Sequence, residues 1–239
     1  MTSALVQISR DLAGSLAEFR TPAGVSYICN PLDYAREPHE LYLERYGGPP
    51  KEVVLLGMNP GPWGMAQTGV PFGEVTVVRD WLHIDGAVTR PTVSHPKRPI
   101  EGFQCTRREV SGSRLWGWAK GRYPSPGAFF SRFFVANYCP LVFYDADGRN
   151  ITPDRLPREA RNRLYPACDE AVVRLVDHLG AKWVLGVGRF AADRAAEALA
   201  GMDVRTGRVT HPSPANPRAN RGWEILMELE LKELGIEIP

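Results

Sequence analysis

Two polar side chains stand in turns whose backbone is constrained by glycine and proline. Asn59 lies near the start of residues 57–73, a segment with five glycines and three prolines. His211 opens the turn His-Pro-Ser-Pro near the carboxyl end of the chain. At neutral pH an amide is not a base but holds water by hydrogen bonds, and a neutral imidazole N–H donates to a group that gains negative charge. These residue types predict a hydrogen-bonding site in the two turns.

The apolar runs before these turns predict the strands that position them. Residues 53–57 lead into the first turn, and residues 204–210 lead into the second. A third run, residues 133–139, delivers Asn137. Open α/β sheets bind their ligands at the carboxyl ends of the strands. The three polar residues are therefore expected at one edge of a sheet.

Strands that alternate with helical patterns predict a three-layer α/β/α fold with a central, mostly parallel four-stranded sheet. The fourth strand is predicted at residues 183–187. Helices are predicted at residues 3–19, 41–46, 74–82, 164–179 and 188–200, after the N-caps Ser113 and Ser125, and from Trp223 onward. Pro166 is expected to start or kink its helix. A chain of 239 residues predicts one domain spanning 1–239, with the N-terminal helix packed on it.

Charge is distributed unevenly along the chain. The net charge is only +2, yet residues 90–132 hold nine Lys or Arg against Glu101 and Glu109. Acidic residues collect in the last helix. A basic face on a near-neutral protein fits a polyanionic partner, although a solvated charged surface is the commoner explanation of such a pattern alone.

Cysteine spacing and hydropathy narrow the class of protein. Four scattered cysteines lack metal-ligand spacing, which favours free thiols and predicts neither a metal site nor an iron–sulfur cluster. No apolar run has the length of a membrane span. Residues 57–73 lack the Gly-Lys-Ser/Thr of a Walker A loop, and Gly186-x-Gly188 lacks the third glycine of a dinucleotide site. We expect a cytoplasmic monomer with no cofactor, metal or membrane partner.

Three segments together resemble the signatures of one family. Gly-Met-Asn-Pro-Gly-Pro at 57–62, Asn-Tyr-Cys-Pro at 137–140 and His-Pro-Ser-Pro at 211–214 are similar in order and spacing to motifs of the single-strand-selective monofunctional uracil-DNA glycosylases. The resemblance covers roughly residues 25–235. It implies a uracil-DNA glycosylase-like fold and a base-excision-repair enzyme. Such an enzyme flips uracil, and 5-hydroxymethyluracil, from single- or double-stranded DNA and hydrolyses the N-glycosidic bond, leaving an abasic site.

The resemblance also implies roles for individual residues. Asn59 and His211 would be catalytic, Asn59 by positioning the water and His211 by donating to the base oxygen that gains charge. The base would be bound by Gly61, Met65, Phe72 and Asn137. The wedge that enters the duplex would comprise Pro214, Ala215, Asn216, Pro217, Arg218 and Arg221. No lysine lies within the first or the last motif, which favours an enzyme without lyase activity.

Within the base site, the resemblance gives each residue a contact. Phe72 would stack on the flipped base, and Asn137 would pair with N3–H and O4 of uracil, a pattern that cytosine reverses. Gly61 and Met65 would shape the space beside C5. The chain departs from the animal members where Ala215 replaces an arginine and where Trp63 replaces a phenylalanine.

Alternative explanations stay open at this point. Taken singly, residues 57–73 are also consistent with a packed Ω-loop, His211 with a structural histidine, and Asn137 with an amide that satisfies a strand end. Two alternative functions are a glycosylase for hypoxanthine or xanthine and a non-catalytic DNA-binding module. The presence of all three polar residues argues against the module.

Overall fold

A computed structural model describes residues 3–239. Its strands are β1 (Tyr27–Cys29), β2 (Val53–Gly57), β3 (Phe133–Asn137), β4 (Val142–Tyr144), β5 (Asn150–Ile151), β6 (Trp183–Val187) and β7 (Arg205–Val209). Its α-helices are α1 (Ala4–Ser15), α2 (Pro31–Tyr34), α3 (Arg36–Tyr46), α4 (Met65–Thr68), α5 (Val75–Asp80), α6 (Val110–Arg122), α7 (Pro126–Phe130), α8 (Arg158–Leu179), α9 (Arg189–Ala198) and α10 (Trp223–Glu233).

The central sheet has four strands in the order β3-β2-β6-β7, and every neighbouring pair is parallel. Every residue of β2 is buried, as expected for a parallel strand covered on both faces. The predicted α/β/α fold is therefore confirmed, and each predicted strand falls on an observed one. The register pairs Gly57 with Asn137 at the carboxyl ends of β2 and β3, so the segments that follow them emerge side by side.

Consecutive aromatic residues of β3 join the sheet to helices on its two faces. Phe133 lies edge-on to Trp118 of α6 and stacks on Phe129 of α7, with 5.2 Å between the latter pair of ring centroids. Phe134 stacks on Tyr42 of α3. α1 packs on α3 and α8, α8 packs on α9, and α10 packs on α6. These contacts form the two helical layers.

Several helix ends differ from the prediction, including the start of α3, which lies at Arg36 and not at residue 41. α1 ends at Ser15, so the predicted helix 3–19 is too long; the observed helix contacts α3 and α8. α6 begins at Val110 because the Glu109 carboxylate accepts two backbone N–H groups of the first turn. Ser113 is therefore not its N-cap. Ser125 caps α7 as predicted, since its hydroxyl accepts the Ala128 N–H at 3.2 Å.

The longest helix, α8, begins earlier than predicted. It starts at Arg158 and continues through Pro166 to Leu179, so Pro166 does not mark its start. Buried side chains on both sides of the proline, including Leu164 and Cys168, pack into the core. This packing compensates for the backbone hydrogen bond that proline cannot donate.

A second sheet is not predicted by the sequence. β1, β4 and β5 pair antiparallel in the order β1-β4-β5. Strands of two or three residues are too short to show the side-chain alternation that identifies a strand. Within residues 3–239, no helix combines the length and apolarity needed to cross a bilayer.

Candidate active site

A cavity of about 530 Å³ opens at the carboxyl edge of the parallel sheet. Segments from distant parts of the chain line it. They include Asn59, Gly61, Met65 and Phe72 of the first motif, Asn137 of the second, and His211 and Pro214 of the third. The structure thus brings together both predicted catalytic residues and all four predicted base-binding residues. Their assigned roles stay predictions.

The floor of the cavity depends on a glycine at the end of β2. A Cβ on Gly57 would lie 2.2 Å from Oδ1 of Asn137 and 2.7 Å from Cε2 of Phe72. Both distances are far below van der Waals contact, so any side chain at this position would displace the amide or the ring. The Phe72 ring and the Asn137 amide therefore both lie close to the backbone of Gly57, where no side chain separates them.

The backbone of Phe72 is fixed by contacts with α6. Phe72 has a φ of 54°, which is unusual for a residue with a side chain. The carbonyl of Phe72 accepts the Trp116 indole N–H at 3.1 Å and the Glu74 N–H at 2.9 Å. A Cβ on Gly112 would lie 2.0 Å from the same carbonyl oxygen. These contacts fix the ring where residues 57–73 turn back toward the sheet.

The Asn137 amide has one oriented donor and one open acceptor. Its Nδ2 points at the sulfur of Met65 at 3.2 Å, and a thioether is a weak acceptor. Within residues 3–239, Oδ1 of Asn137 accepts no hydrogen bond. The Asn137 amide can therefore pair with a neighbouring donor and acceptor on one edge of a bound planar ring.

Asn59 also has an oriented amide. Its Nδ2 donates to the carbonyl of Leu141 at 3.2 Å, and this leaves Oδ1 directed away from that bond. The neighbouring backbone is fixed because Cys139 N–H donates to Met58 at 2.9 Å. The half-buried Asn59 lines the cavity, so Oδ1 is suited to accept a hydrogen bond from water there.

His211 is a neutral imidazole whose tautomer is set by the backbone. Its Nδ1 accepts the Ser213 N–H at 3.0 Å, so the proton of the neutral ring resides on Nε2. Burial lowers the pKa of His211 to about 4, because the charged ring would lose its hydration. Its ring centroid lies 6.1 Å from that of Phe72. The site therefore presents one N–H donor beside the aromatic ring.

Glu109 lines the cavity but was not among the predicted site residues. Its carboxylate caps α6, and its side chain would be 2.9 Å from a Cβ on Gly64 and 3.7 Å from a Cβ on Gly61. Burial raises the pKa of Glu109 above its usual range. It therefore packs the first motif against α6, a contact that sequence spacing does not reveal.

The predicted wedge is a turn fastened by side-chain amides. Asn220 Nδ2 donates to the Pro214 carbonyl at 2.8 Å, and Arg114 of α6 donates to Pro212 O and to Asn220 Oδ1, each at 2.9 Å. Ala215 is exposed. Of the other predicted wedge residues, Asn216 donates to the His211 carbonyl at 3.3 Å, and the Arg218 guanidinium lies 3.8 Å from the Glu230 carboxylate. Pro217 and Arg221 are exposed.

Residues that anchor the second and third motifs from outside were also missed. Glu230 of α10 accepts both the N–H and the hydroxyl of Thr210 at 2.6 Å, directly before His211. Beside Asn137, the Tyr138 hydroxyl lies 2.7 Å from Asp169, which also pairs with Arg194. Only the folded chain brings these distant positions together.

Within the described residues, no group of three or more His, Cys, Asp or Glu side chains is arranged to hold a metal ion. The four cysteines are free and buried. The side chains described above supply amides, one imidazole, one carboxyl group, a thioether and aromatic surface to this cavity.

Comparisons with known proteins identify the family of this chain. Residues 44–230 match the family model of the Uracil DNA glycosylase superfamily. The chain is 51% identical over 227 residues to the single-strand selective monofunctional uracil-DNA glycosylase of Rattus norvegicus. The alignment covers 94% of this chain and 82% of the rat protein. The corresponding protein of Mus musculus is 50% identical over 227 residues, with 94% and 81% covered.

A solved structure shows the same fold. The crystal structure of wild-type Pedobacter heparinus SMUG2 aligns with a TM-score of 0.67 at 16% identity, covering 95% of this chain and 97% of that one. The extent of the family match and the identity to the rodent proteins settle membership. The chain belongs to the uracil DNA glycosylase superfamily and, within it, to the single-strand selective monofunctional uracil-DNA glycosylases.

Proposed function

We propose that this protein is a base-excision-repair enzyme that hydrolyses the N-glycosidic bond of uracil in DNA and leaves an abasic site. The observation that carries the proposal is the Asn137 amide beside Phe72, in a cavity large enough for one pyrimidine. Family membership supports the same reaction.

Base recognition follows from the two ends of the Asn137 amide. Oδ1 accepts the N3–H of uracil, and Nδ2 donates to O4 in place of its weak contact with Met65. Cytosine presents an acceptor at N3 and a donor at N4, so it meets like groups at both positions. The Phe72 ring stacks on the flipped base.

Bond cleavage uses a positioned water and a stabilised leaving group. Asn59 Oδ1 accepts a hydrogen bond from the water that attacks the sugar, while Leu141 keeps the amide from rotating. As the bond breaks, the base gains negative charge and the sugar gains positive charge. The Nε2–H of His211 donates to the anionic base oxygen.

The enzyme is monofunctional on this account. Among the described residues that line the cavity, none is a lysine, so no amine is placed to attack the sugar carbon. Strand cleavage therefore requires a later chemical or enzymatic step.

Substrate range extends to a base substituted at C5. Gly61 presents no side chain, and Met65 is flexible and apolar, so this wall of the cavity admits a substituent such as the hydroxymethyl group of 5-hydroxymethyluracil. Single-stranded DNA is the favoured form, because the exposed methyl group of Ala215 fills little of the gap that a flipped base leaves in a duplex. We further propose that the enzyme acts as a monomer in the cytoplasm, where four free cysteines stay reduced.

A panel of labelled single-stranded oligonucleotides tests these assignments. Each carries uracil, 5-hydroxymethyluracil, hypoxanthine, xanthine or cytosine, and alkali converts any abasic site to a strand break. We expect breaks with the first two and none with cytosine. If breaks occur only with hypoxanthine or xanthine, that base and not uracil is the substrate. If no oligonucleotide breaks, the protein is a non-catalytic DNA-binding module.

A further inference from the structure

An aromatic side chain at the edge of the cavity is contacted by two arginines. The guanidinium carbon of Arg107 lies 4.6 Å from the ring centroid of Trp63, and that of Arg98 lies 5.1 Å away. Trp63 itself lines the cavity that holds Asn137 and His211. Two cations therefore lie against a residue that lines the cavity.

These cations lack acidic partners. Across residues 3–239, neither Arg98 nor Arg107 lies within 4.0 Å of a carboxylate oxygen. The adjacent Arg108, unlike these two, lines the cavity, and among the described residues it donates only to the hydroxyl of Ser113, at 3.2 Å. Like charges held near one ring repel each other, and a bound anion lowers that repulsion.

Arg98 is oriented before any ligand binds. Its Nε donates to the carbonyl of Gly148 at 2.8 Å, and its guanidinium carbon lies over the Trp63 ring. Among residues 3–239, its two terminal nitrogens donate to no partner. A guanidinium fixed in this way binds the two oxygens of a phosphate in a bidentate manner, at a smaller entropy cost than a mobile side chain.

We propose that Arg98, Trp63 and Arg107 form a subsite for one backbone phosphate of the DNA strand, next to the flipped nucleotide. We call it the rim phosphate site. The inference rests on the proposed function, because a base seated between Phe72 and Asn137 places its own flanking phosphates at the cavity opening. It adds a strand contact separate from the wedge turn.

The experiment measures equilibrium binding to a single-stranded oligonucleotide at several salt concentrations. The oligonucleotide contains one 2′-fluoro-2′-deoxyuridine, whose fluorine disfavours the cationic sugar and prevents cleavage during the measurement. The double variant Arg98→Gln with Arg107→Gln should lower the slope of log Kd against log salt by about 0.7, the value of one phosphate contact on a single strand.

A matched control exists at the opposite edge of the sheet. Arg205 lies 5.4 Å from the ring centroid of Trp183, and both residues start their strands. Arg205→Gln removes one positive charge, where the double variant removes two, from the same kind of cation–π pair, and it lies at the opposite end of the strands from the cavity. We expect it to keep the wild-type slope, and thermal unfolding should give similar midpoints for both variants.

A neutral methylphosphonate, placed in turn at each linkage flanking the uridine, locates the contact. One position should weaken wild-type binding about tenfold and leave the double variant unchanged. A wild-type slope in the double variant, or equal losses in both proteins, would overturn the rim phosphate site. Uracil excision at saturating enzyme is measured alongside. If excision persists while the slope is unchanged, only the subsite is wrong, and if the wild type releases no uracil, the proposed function is wrong.

Discussion

At the scale of single residues, the site depends on which atom of each polar group is left free. His211 uses Nδ1 to accept the Ser213 N–H, and Asn59 uses Nδ2 to reach Leu141. Each backbone contact occupies one end of the side chain and leaves the other end for the substrate. The proposed catalysis uses those two free ends.

Replacement of His211 by asparagine isolates its distal N–H. The asparagine oxygen can accept the Ser213 N–H, so the turn is retained while the donor to the base is lost. We expect the single-turnover rate of uracil excision to fall by roughly 10²–10³-fold, with little change in DNA affinity. A rate within fivefold of wild type would show that His211 is not the donor.

The pKa of His211 gives a prediction for pH. Its folded-state pKa of about 4 lies below its unfolded value of about 6.5, so the unfolded chain takes up a proton first as the pH falls. Stability should therefore decrease by about 3 kcal/mol between pH 6.5 and 4 relative to His211→Asn, and show no such difference above pH 7. Urea unfolding of both proteins across this range checks the sign. A Nε2 resonance that titrates near 6.5 would contradict it.

Gly57 permits a contact that no larger residue allows. Gly57→Ala places a methyl group 2.2 Å from the Asn137 oxygen, so the amide or Phe72 must move. A displacement of this size in a positioned group lowers turnover by about 10²-fold. Gly48→Ala is the control, because a Cβ there meets nothing within 4 Å. Equal excision rates for the two variants would mean that the floor of the cavity tolerates the change.

At the scale of elements, the long apolar strands and the turns rich in glycine and proline were predictable. The patterns of β2, β3, β6 and β7 predict four strands, and their shared parallel direction predicts one edge for the three motifs. The small sheet was not predictable, because its strands have two or three residues each. Nor was the anchoring of the wedge turn by Arg114, because that residue lies about a hundred positions away from the turn and only the packing of α6 joins them.

The wedge turn supplies the prediction at this scale. It is fastened by side-chain hydrogen bonds, and its exposed residue Ala215 presents only a methyl group. Unstacking costs a few kcal/mol in a duplex and much less in a single strand. Ala215→Arg should raise the excision rate on a U·A duplex more than on a single strand, and steepen the salt dependence of binding by roughly one charge. The ratio of the two single-turnover rates decides. An unchanged ratio would direct attention to Arg218 or Arg221.

At the scale of the whole molecule, acidic side chains of α10 have polar partners elsewhere in the chain. Glu228 of α10 pairs with Arg122 at 2.6 Å, and Glu230 is committed to Thr210. Among residues 3–239, Arg98 and Arg107 have no carboxylate partner. A net charge of +2 therefore conceals a basic region beside the cavity, as the proposed binding of a polyanionic strand requires.

The protein is proposed to hydrolyse the N-glycosidic bond of uracil and to leave the phosphodiester backbone of the strand intact. The proposed reaction is tested by incubating excess enzyme with a single-stranded oligonucleotide that contains one uracil, then quantifying free uracil by chromatography and strand length without alkali. We expect one uracil released per strand, with the backbone intact until alkali is added. Intact uracil in the strand, or backbone cleavage before alkali, would contradict the account.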